Sequence, residues 1–121
     1  MTAVSAQRIV EDYARAWTGR DVDKAMSYLA EDIVCEAPAG KIEGLPAYRE
    51  FLAGFLEIMT TATITKVLGD ETSAAVVYVT DTKLVQGSRA MDYATVENGK
   101  ITHVVTVFDR LPMDQAKRYQ Q

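Results

Sequence analysis

The chain has 121 residues, of which 48% are hydrophobic and 25% charged, so it is long enough for one domain with a substantial apolar core. Its formal net charge is −4. This acidic balance argues against nucleic acids and anionic membrane surfaces as partners, because both need a basic face on the protein.

The sequence contains one cysteine, Cys35, and one histidine, His103. One cysteine cannot form an intramolecular disulfide, and one histidine without paired ligand spacing does not indicate a metal site. The glycines stand singly rather than in a phosphate-binding loop, so we expect no cofactor. Because no signal-peptide pattern and no apolar run of membrane-spanning length is present, the expected location is the cytoplasm.

Three amphipathic helices are predicted in the first half of the chain. Apolar residues at helical spacing predict the first over about residues 5–18, ended by Gly19, and Asp21 is a suitable N-cap for the second. Pro46 suits the first turn of the third helix, which has the most regular apolar stripe in the sequence. A short hairpin with its turn at residues 37–40 precedes this third helix.

After Thr60 the sequence alternates and is rich in β-branched residues, which predicts a four-stranded antiparallel meander. Asn98-Gly99 is its strongest hairpin signal. The polar tail, residues 112–121, is expected to be loose or a frayed helix. We therefore predict a single α+β domain, residues 1–121, in which three N-terminal helices cover one face of a curved antiparallel sheet. The predicted strands are 62–68, 74–85, 89–97 and 100–109.

A strongly curled sheet closed by helices forms a cone, whose open end is a natural site for a small hydrophobic ligand. If Asp92 points inward, alternation places its neighbours at every second position on the same inner face. An open pocket and one filled by its own aromatic side chains are both compatible with the sequence. The predicted lining residues are Trp17, Phe51, Leu52, Phe55, Met59, Val79, Ala94, Thr106 and Phe108.

The other face of the predicted sheet carries an apolar patch that is large for a monomer, so we expect a homodimer through this outer face. His103 falls on the same face and is interpreted as an interface or surface residue rather than a catalyst. Cys35 is interpreted as a small core residue. The predicted patch consists of Tyr78, Tyr93, Val105 and Val107.

Carboxylates and phenols are the remaining candidates for chemistry, and Asp92 is the sharpest of them because aspartate is a poor strand former. A carboxyl group buried in an apolar cone has a raised pKa and can donate a hydrogen bond. Tyr13, on the buried stripe of the first helix, offers a second donor, although it is equally compatible with a core tyrosine. Asp81 lies near the end of its strand, where the sequence is equally compatible with a solvated surface carboxylate and with a functional one. A shifted register would likewise leave Asp92 solvated.

The order helix–helix–hairpin–helix–meander resembles the nuclear transport factor 2-like superfamily, which includes SnoaL-like polyketide cyclases, ketosteroid isomerases and limonene epoxide hydrolases. The resemblance covers the chain to about Leu111 and implies a cone-shaped, cystatin-like α+β barrel. It is carried by Tyr13-Ala-Arg-Ala-Trp17, Gly19-Arg-Asp21, Met26, Leu29-Ala-Glu-Asp32, Gly44, Tyr48-Arg-Glu-Phe51, Asn98-Gly99-Lys100-Ile101 and Val107-Phe108-Asp109.

The ketosteroid isomerase pattern implies two donors to a developing oxyanion, and these fall on Tyr13 and Asp92. The general base of that pattern, an aspartate before a proline, falls on Ala37. The neighbouring Glu36 is expected to face the other side of its strand. The cyclase pattern implies an aspartate acid/base, for which Asp81 or Asp92 is available.

The epoxide hydrolase pattern implies an arginine between two aspartates. Asp81 matches one aspartate, whereas the arginine falls on Val79 and the second aspartate on Thr106. The leading expectation is therefore an enzyme that isomerises or cyclises a small hydrophobic carbonyl compound. Tyr13 and Asp92 would hold its enolate, and Asp81 would shuttle the proton. The alternatives are a non-catalytic module that binds an apolar ligand or dimerises, and a hydrolase that uses Asp81.

Overall fold

A computed structural model of the chain describes residues 5–119, which form four helices and one six-stranded sheet. This arrangement confirms the α+β class. The helices are α1 (Ala6–Thr18), α2 (Val22–Met26), α3 (Leu45–Ile58) and α4 (Leu111–Tyr119). The strands are β1 (Leu29–Ala37), β2 (Gly40–Glu43), β3 (Met59–Gly69), β4 (Ser73–Thr82), β5 (Ser88–Glu97) and β6 (Lys100–Phe108).

Local sequence signals determine where the N-terminal helices begin. The Ser5 side chain caps α1 by accepting a hydrogen bond from the Arg8 amide at 3.3 Å, and Asp21 caps α2 through the Lys24 amide at 3.1 Å. Gly44 precedes α3 with a φ of 91°, a backbone conformation that favours glycine. The apolar stripe of α1 is buried, and α1 contacts β3 and β4 of the sheet.

The strand order is β2-β1-β6-β5-β4-β3. Strands β3 to β6 form an antiparallel meander, as predicted, and β1 pairs antiparallel with β2, but β1 pairs parallel with β6. The prediction of a purely antiparallel sheet is therefore wrong, because the two-stranded hairpin joins the meander at its last strand. Strands β2 and β3 are the two ends of the order, so the curved sheet is mixed and is not closed into a barrel.

The register of β4 against β5 decides which side chains face the helices. Val76 lies opposite Asp92, and Asp92 lies opposite Thr106 on β6, so all three point to the same, inner face. Val76 and Asp92 are buried beneath the helices. By alternation Tyr78 also points inward, whereas Val79 points outward, so both predictions for these two residues are wrong.

The outer face keeps the rest of its predicted apolar residues. Tyr93 and Val107 are exposed, and Val105 lies opposite Tyr93 on the neighbouring strand. His103 is also on this face, where its Nε2 lies 2.8 Å from Glu36 Oε2. Cys35 is fully buried in the core, which agrees with its interpretation as a small core residue.

The sequence is compatible with either a loose chain or a frayed helix in the tail. In the structure the tail forms helix α4 up to Tyr119. Asp109 Oδ1 accepts a hydrogen bond from the Leu111 amide at 3.0 Å, and Pro112 occupies the first turn. The loose-tail prediction therefore does not describe residues 112–119. Residues 120 and 121 lie outside the described part of the chain.

None of the helices in the described part of the chain is long and apolar enough to span a membrane.

Candidate active site

A cavity of about 380 Å³ lies between helices α1 and α3 and the inner face of the sheet, and residues of α4 border it. Aromatic and aliphatic side chains form most of its wall. Of the residues predicted to line the pocket, six do so. They are Trp17, Phe51, Leu52, Phe55, Thr106 and Phe108.

Three of the predicted lining residues do not border the cavity. Met59 and Ala94 are instead buried in the hydrophobic core. Val79 lies on the outer face of the sheet, as the β4–β5 register requires.

Asp92 is the buried carboxyl group of this cavity, with only 6% of its surface exposed. Its Oδ1 accepts a hydrogen bond from the Tyr78 hydroxyl at 3.0 Å and another from the Thr106 hydroxyl at 2.9 Å. The hydrogen bonds of the described residues leave its Oδ2 without a partner. This burial excludes the solvated arrangement that a shifted register would have given.

Burial sets the ionisation of Asp92. Loss of hydration disfavours the carboxylate and raises the pKa of Asp92 to about 6, although the hydrogen bonds from Thr106 and Tyr78 act in the opposite direction. The group therefore exchanges its proton close to neutral pH. Both a proton donor and a proton acceptor are available at this position within the physiological range.

Two tyrosines form a second polar group in the same wall. The hydroxyls of Tyr13 on α1 and Tyr48 on α3 are hydrogen-bonded to each other and are buried. Burial raises the pKa of Tyr13 well above its ordinary value, and the neighbouring Tyr48 adds to this effect. Burial and the charge of Asp92 likewise raise the pKa of Tyr48. Both phenols therefore stay protonated and can donate hydrogen bonds.

The Trp17 side chain also borders the cavity. Its Nε1 is buried and has no hydrogen-bond partner among the described residues. The ring packs edge-on against Tyr78, with centroids 5.0 Å apart, and this contact holds it in place beside the cavity.

Asp81 does not belong to this site. It lies on the outer face of the sheet, where its carboxylate accepts hydrogen bonds from the Gly87 amide at 2.6 Å and the Thr61 hydroxyl at 2.8 Å. These bonds, the Gly87 amide first, lower the pKa of Asp81. Its predicted role as a proton shuttle is therefore wrong. The hydrolase hypothesis, which also depended on Asp81, has no aspartate at this position of the cavity.

Sequence reasoning missed Tyr48, Tyr78 and the α4 residues Met113, Asp114 and Lys117, all of which border the cavity. Tyr48 was on the predicted stripe of the third helix, but nothing local indicates its pairing with Tyr13. The start of α4 did have a signal, since Asp109 followed by Pro112 is typical of a helix N-terminus.

The residue at the position of the expected base, Ala37, does not border the cavity, whereas Ala39 in the adjacent turn does. Within residues 5–119 no cluster of three or more histidine, cysteine, aspartate or glutamate side chains is arranged to hold a metal ion. The polar side chains that border the cavity are carboxyl, phenol and aliphatic hydroxyl groups, together with the cations of Arg110 and Lys117.

The SnoaL-like domain family matches residues 10–104, which is most of the chain. The chain belongs to the SnoaL-like domain family. This confirms the resemblance to the nuclear transport factor 2-like superfamily. No curated protein matches the sequence of this SnoaL-like protein.

Several solved structures share the fold of the SnoaL-like protein. A protein of Kribbella flavida DSM 17836 is 40% identical over 98% of both chains, with a TM-score of 0.92. Another from this organism, named a "putative ketosteroid isomerase", is 22% identical over 86% of this chain and 77% of that chain, with a TM-score of 0.76. A "putative polyketide cyclase" of Sinorhizobium meliloti is 19% identical over 83% of this chain and 94% of that chain, with a TM-score of 0.74.

Proposed function

We propose that this SnoaL-like protein binds a small apolar carbonyl compound and stabilises its enolate, in an isomerisation or a cyclisation. One observation carries the proposal, namely that Asp92 and the Tyr13–Tyr48 pair border the same apolar cavity. The names of two structural neighbours, a "putative ketosteroid isomerase" and a "putative polyketide cyclase", agree with this class of reaction.

The chemistry follows from the donors. Protonated Asp92 donates through Oδ2 to the substrate oxygen, while Tyr78 and Thr106 hold Oδ1 and fix the orientation of the carboxyl group. Tyr13, held by Tyr48, donates to the same oxygen. Two donors stabilise the negative charge that develops as the enolate forms, and the apolar wall excludes the water that would compete with them.

The proposal is tested with 2-naphthol, a planar phenol that mimics an enolate, in a fluorescence titration. We expect wild-type protein to bind it, and Asp92→Leu to lower the affinity about tenfold or more, since a hydrogen bond to a charged group contributes ~1.5–3 kcal/mol. Asp92→Asn, which keeps the side-chain shape, serves as a second variant. The control is Asp81→Leu, because Asp81 lies outside the cavity. Equal affinity in wild-type and both Asp92 variants would contradict the proposal.

A non-catalytic module that holds an apolar ligand is the second candidate, and the alanine at position 37 favours it because it leaves the hairpin without a base. Native mass spectrometry of the purified protein separates the two. A copurified apolar ligand with no turnover of a panel of enones supports the module. Turnover that Asp92→Leu abolishes supports the enzyme.

A further inference from the structure

An enolate forms only if a group in the site takes up the proton that the carbon loses. Of the described residues that border the cavity, two have a carboxyl group, Asp92 and Asp114. Asp92 is buried against the sheet, with one oxygen held by two hydroxyls. Asp114 borders the cavity from helix α4, and 39% of its side chain is exposed.

An arginine holds Asp114 beside the turn of the β1–β2 hairpin. Arg110 Nε lies 3.0 Å from Asp114 Oδ2, and Arg110 Nη1 donates to the Pro38 carbonyl at 3.5 Å. The next residue of that turn, Ala39, borders the cavity. Arg110 therefore links the carboxylate of α4 to a turn whose own side chains offer no proton acceptor.

The start of α4 fixes this arrangement. Asp109 caps the helix through the Leu111 amide, and the Asp114 amide donates to the Arg110 carbonyl at 2.9 Å. The helical turn places Met113, Asp114 and Lys117 on the face that borders the cavity. Arg110 holds Asp114 Oδ2, and the hydrogen bonds of the described residues leave Oδ1 without a partner.

We propose that Asp114 is the general base of this site, an inference that rests on the proposed function. Its carboxylate removes a proton from the carbon next to the substrate carbonyl. The electron pair of that C–H bond becomes the C=C bond of the enolate, while the carbonyl oxygen takes the negative charge beside Tyr13 and Asp92. In an isomerisation the protonated Asp114 returns the proton to another carbon of the same molecule, so no oxidant or co-reactant is needed.

Other titratable groups are badly placed for this step. Cys35 is fully buried, and burial raises the pKa of its thiol, so it is a poor proton acceptor. His103 lies on the outer face, paired with Glu36. Lys117 borders the cavity, but an ammonium group has no free pair to accept a proton.

The test uses 2-tetralone, an apolar bicyclic ketone whose enolate 2-naphthol resembles, dissolved in D₂O. Proton NMR follows the protein-dependent loss of the C1–H signal after subtraction of the buffer rate. We expect Asp114→Asn to lower this rate about 100-fold, the usual effect of losing a general base, and Asp114→Glu to restore part of it. The affinity for 2-naphthol should stay within about twofold in both variants, because the donors are unchanged. Asp32→Asn, an exposed carboxylate outside the cavity, is the control.

Each result decides the matter. An unchanged exchange rate in Asp114→Asn would overturn the assignment. Wild-type protein that binds 2-naphthol but exchanges no proton would also overturn it, while the binding site of the proposed function would stand. Protein that neither binds 2-naphthol nor exchanges a proton would show that the proposed function itself is wrong.

Discussion

Asp81 and Asp92 lie on neighbouring strands of one sheet, yet their surroundings differ completely. Asp92 faces the helices, and burial raises its pKa to about 6. Asp81 faces outward, and hydrogen bonds led by that of the Gly87 amide lower its pKa. Both residues interrupt a strand pattern in which aspartate is unfavourable. The face of the sheet, and not the residue type or its place in a strand, decides which carboxylate can take part in chemistry.

The same division applies to the tyrosines. Tyr13, Tyr48 and Tyr78 are buried around the cavity, with their hydroxyls in hydrogen bonds to each other or to Asp92. Tyr93 is 45% exposed on the outer face. The inner face therefore carries buried, protonated hydroxyl groups, whereas the outer face presents apolar surface.

The largest effect is expected from removal of an inner hydroxyl. Tyr13→Phe should lower the protein-dependent exchange of 2-tetralone about 100-fold to 1,000-fold, because it removes one of the two donors that we propose for the developing oxyanion. Tyr93→Phe, the same change on the outer face, should leave the rate unchanged. Equal rates in wild-type protein and Tyr13→Phe would contradict the assigned donor.

The next largest effect is the contribution of Asp92 to the dependence of the free energy of unfolding on pH. Folded Asp92 keeps its proton up to about pH 6, whereas the unfolded chain loses it near pH 3.8, so the free energy of unfolding should fall as the pH rises between these values. The corresponding loss is roughly 3 kcal/mol by pH 7. Urea unfolding of wild-type protein and Asp92→Asn at several pH values measures it as the difference between the two.

For Asp81 we expect the opposite dependence of the free energy of unfolding on pH. Its pKa is lowered in the folded state, so its contribution to stability is present above the unfolded pKa and is lost as the pH falls through the folded pKa. Asp81→Asn should therefore reduce stability at neutral pH but not in strong acid. If Asp92→Asn and Asp81→Asn changed the free energy of unfolding in the same direction over the same pH range, the two carboxylates would not differ in the way described.

The smallest effect on the cavity is expected from a change to the outer face. We propose that Tyr93, Val105 and Val107 contact a second copy of this chain, because this apolar patch can pack against itself about a twofold axis. Tyr93→Lys should yield a monomer by size-exclusion chromatography with light scattering, and the affinity for 2-naphthol should stay within about twofold. A wild-type monomer at high concentration would contradict the dimer.

Much of the fold could be predicted because its signals are local. The stripe of Tyr13 and Trp17, the cap at Asp21 and the turn at Asn98-Gly99 each specify an element from a few adjacent residues. The parallel pairing of β1 with β6 has no such signal, because the paired residues are about 70 positions apart in the sequence.

The site was harder to predict, since it depends on register. The inward position of Asp92 followed from the assumption that a mid-strand aspartate is buried for a reason. The sequence prediction puts Tyr78 on the outer face and Val79 in the pocket, because it lacks the connection that sets the register of β4 against β5. A change of one residue in such a connection moves every side chain of a strand to the other face. The position of Asp114 at the cavity depends on helix α4, and the sequence does not decide whether this segment is a helix or a loose chain.

The central claim is that the inner face holds Asp92 as a carboxyl group with a raised pKa. Carbon-13 NMR of the aspartate carboxyl carbons, assigned with Asp92→Asn and Asp81→Asn, measures both ionisations in one titration. We expect Asp92 to titrate near pH 6, and we expect the pKa of Asp81 to lie below that of an ordinary aspartate. An Asp92 signal that titrates near 4, together with that of an ordinary exposed carboxylate, would contradict it.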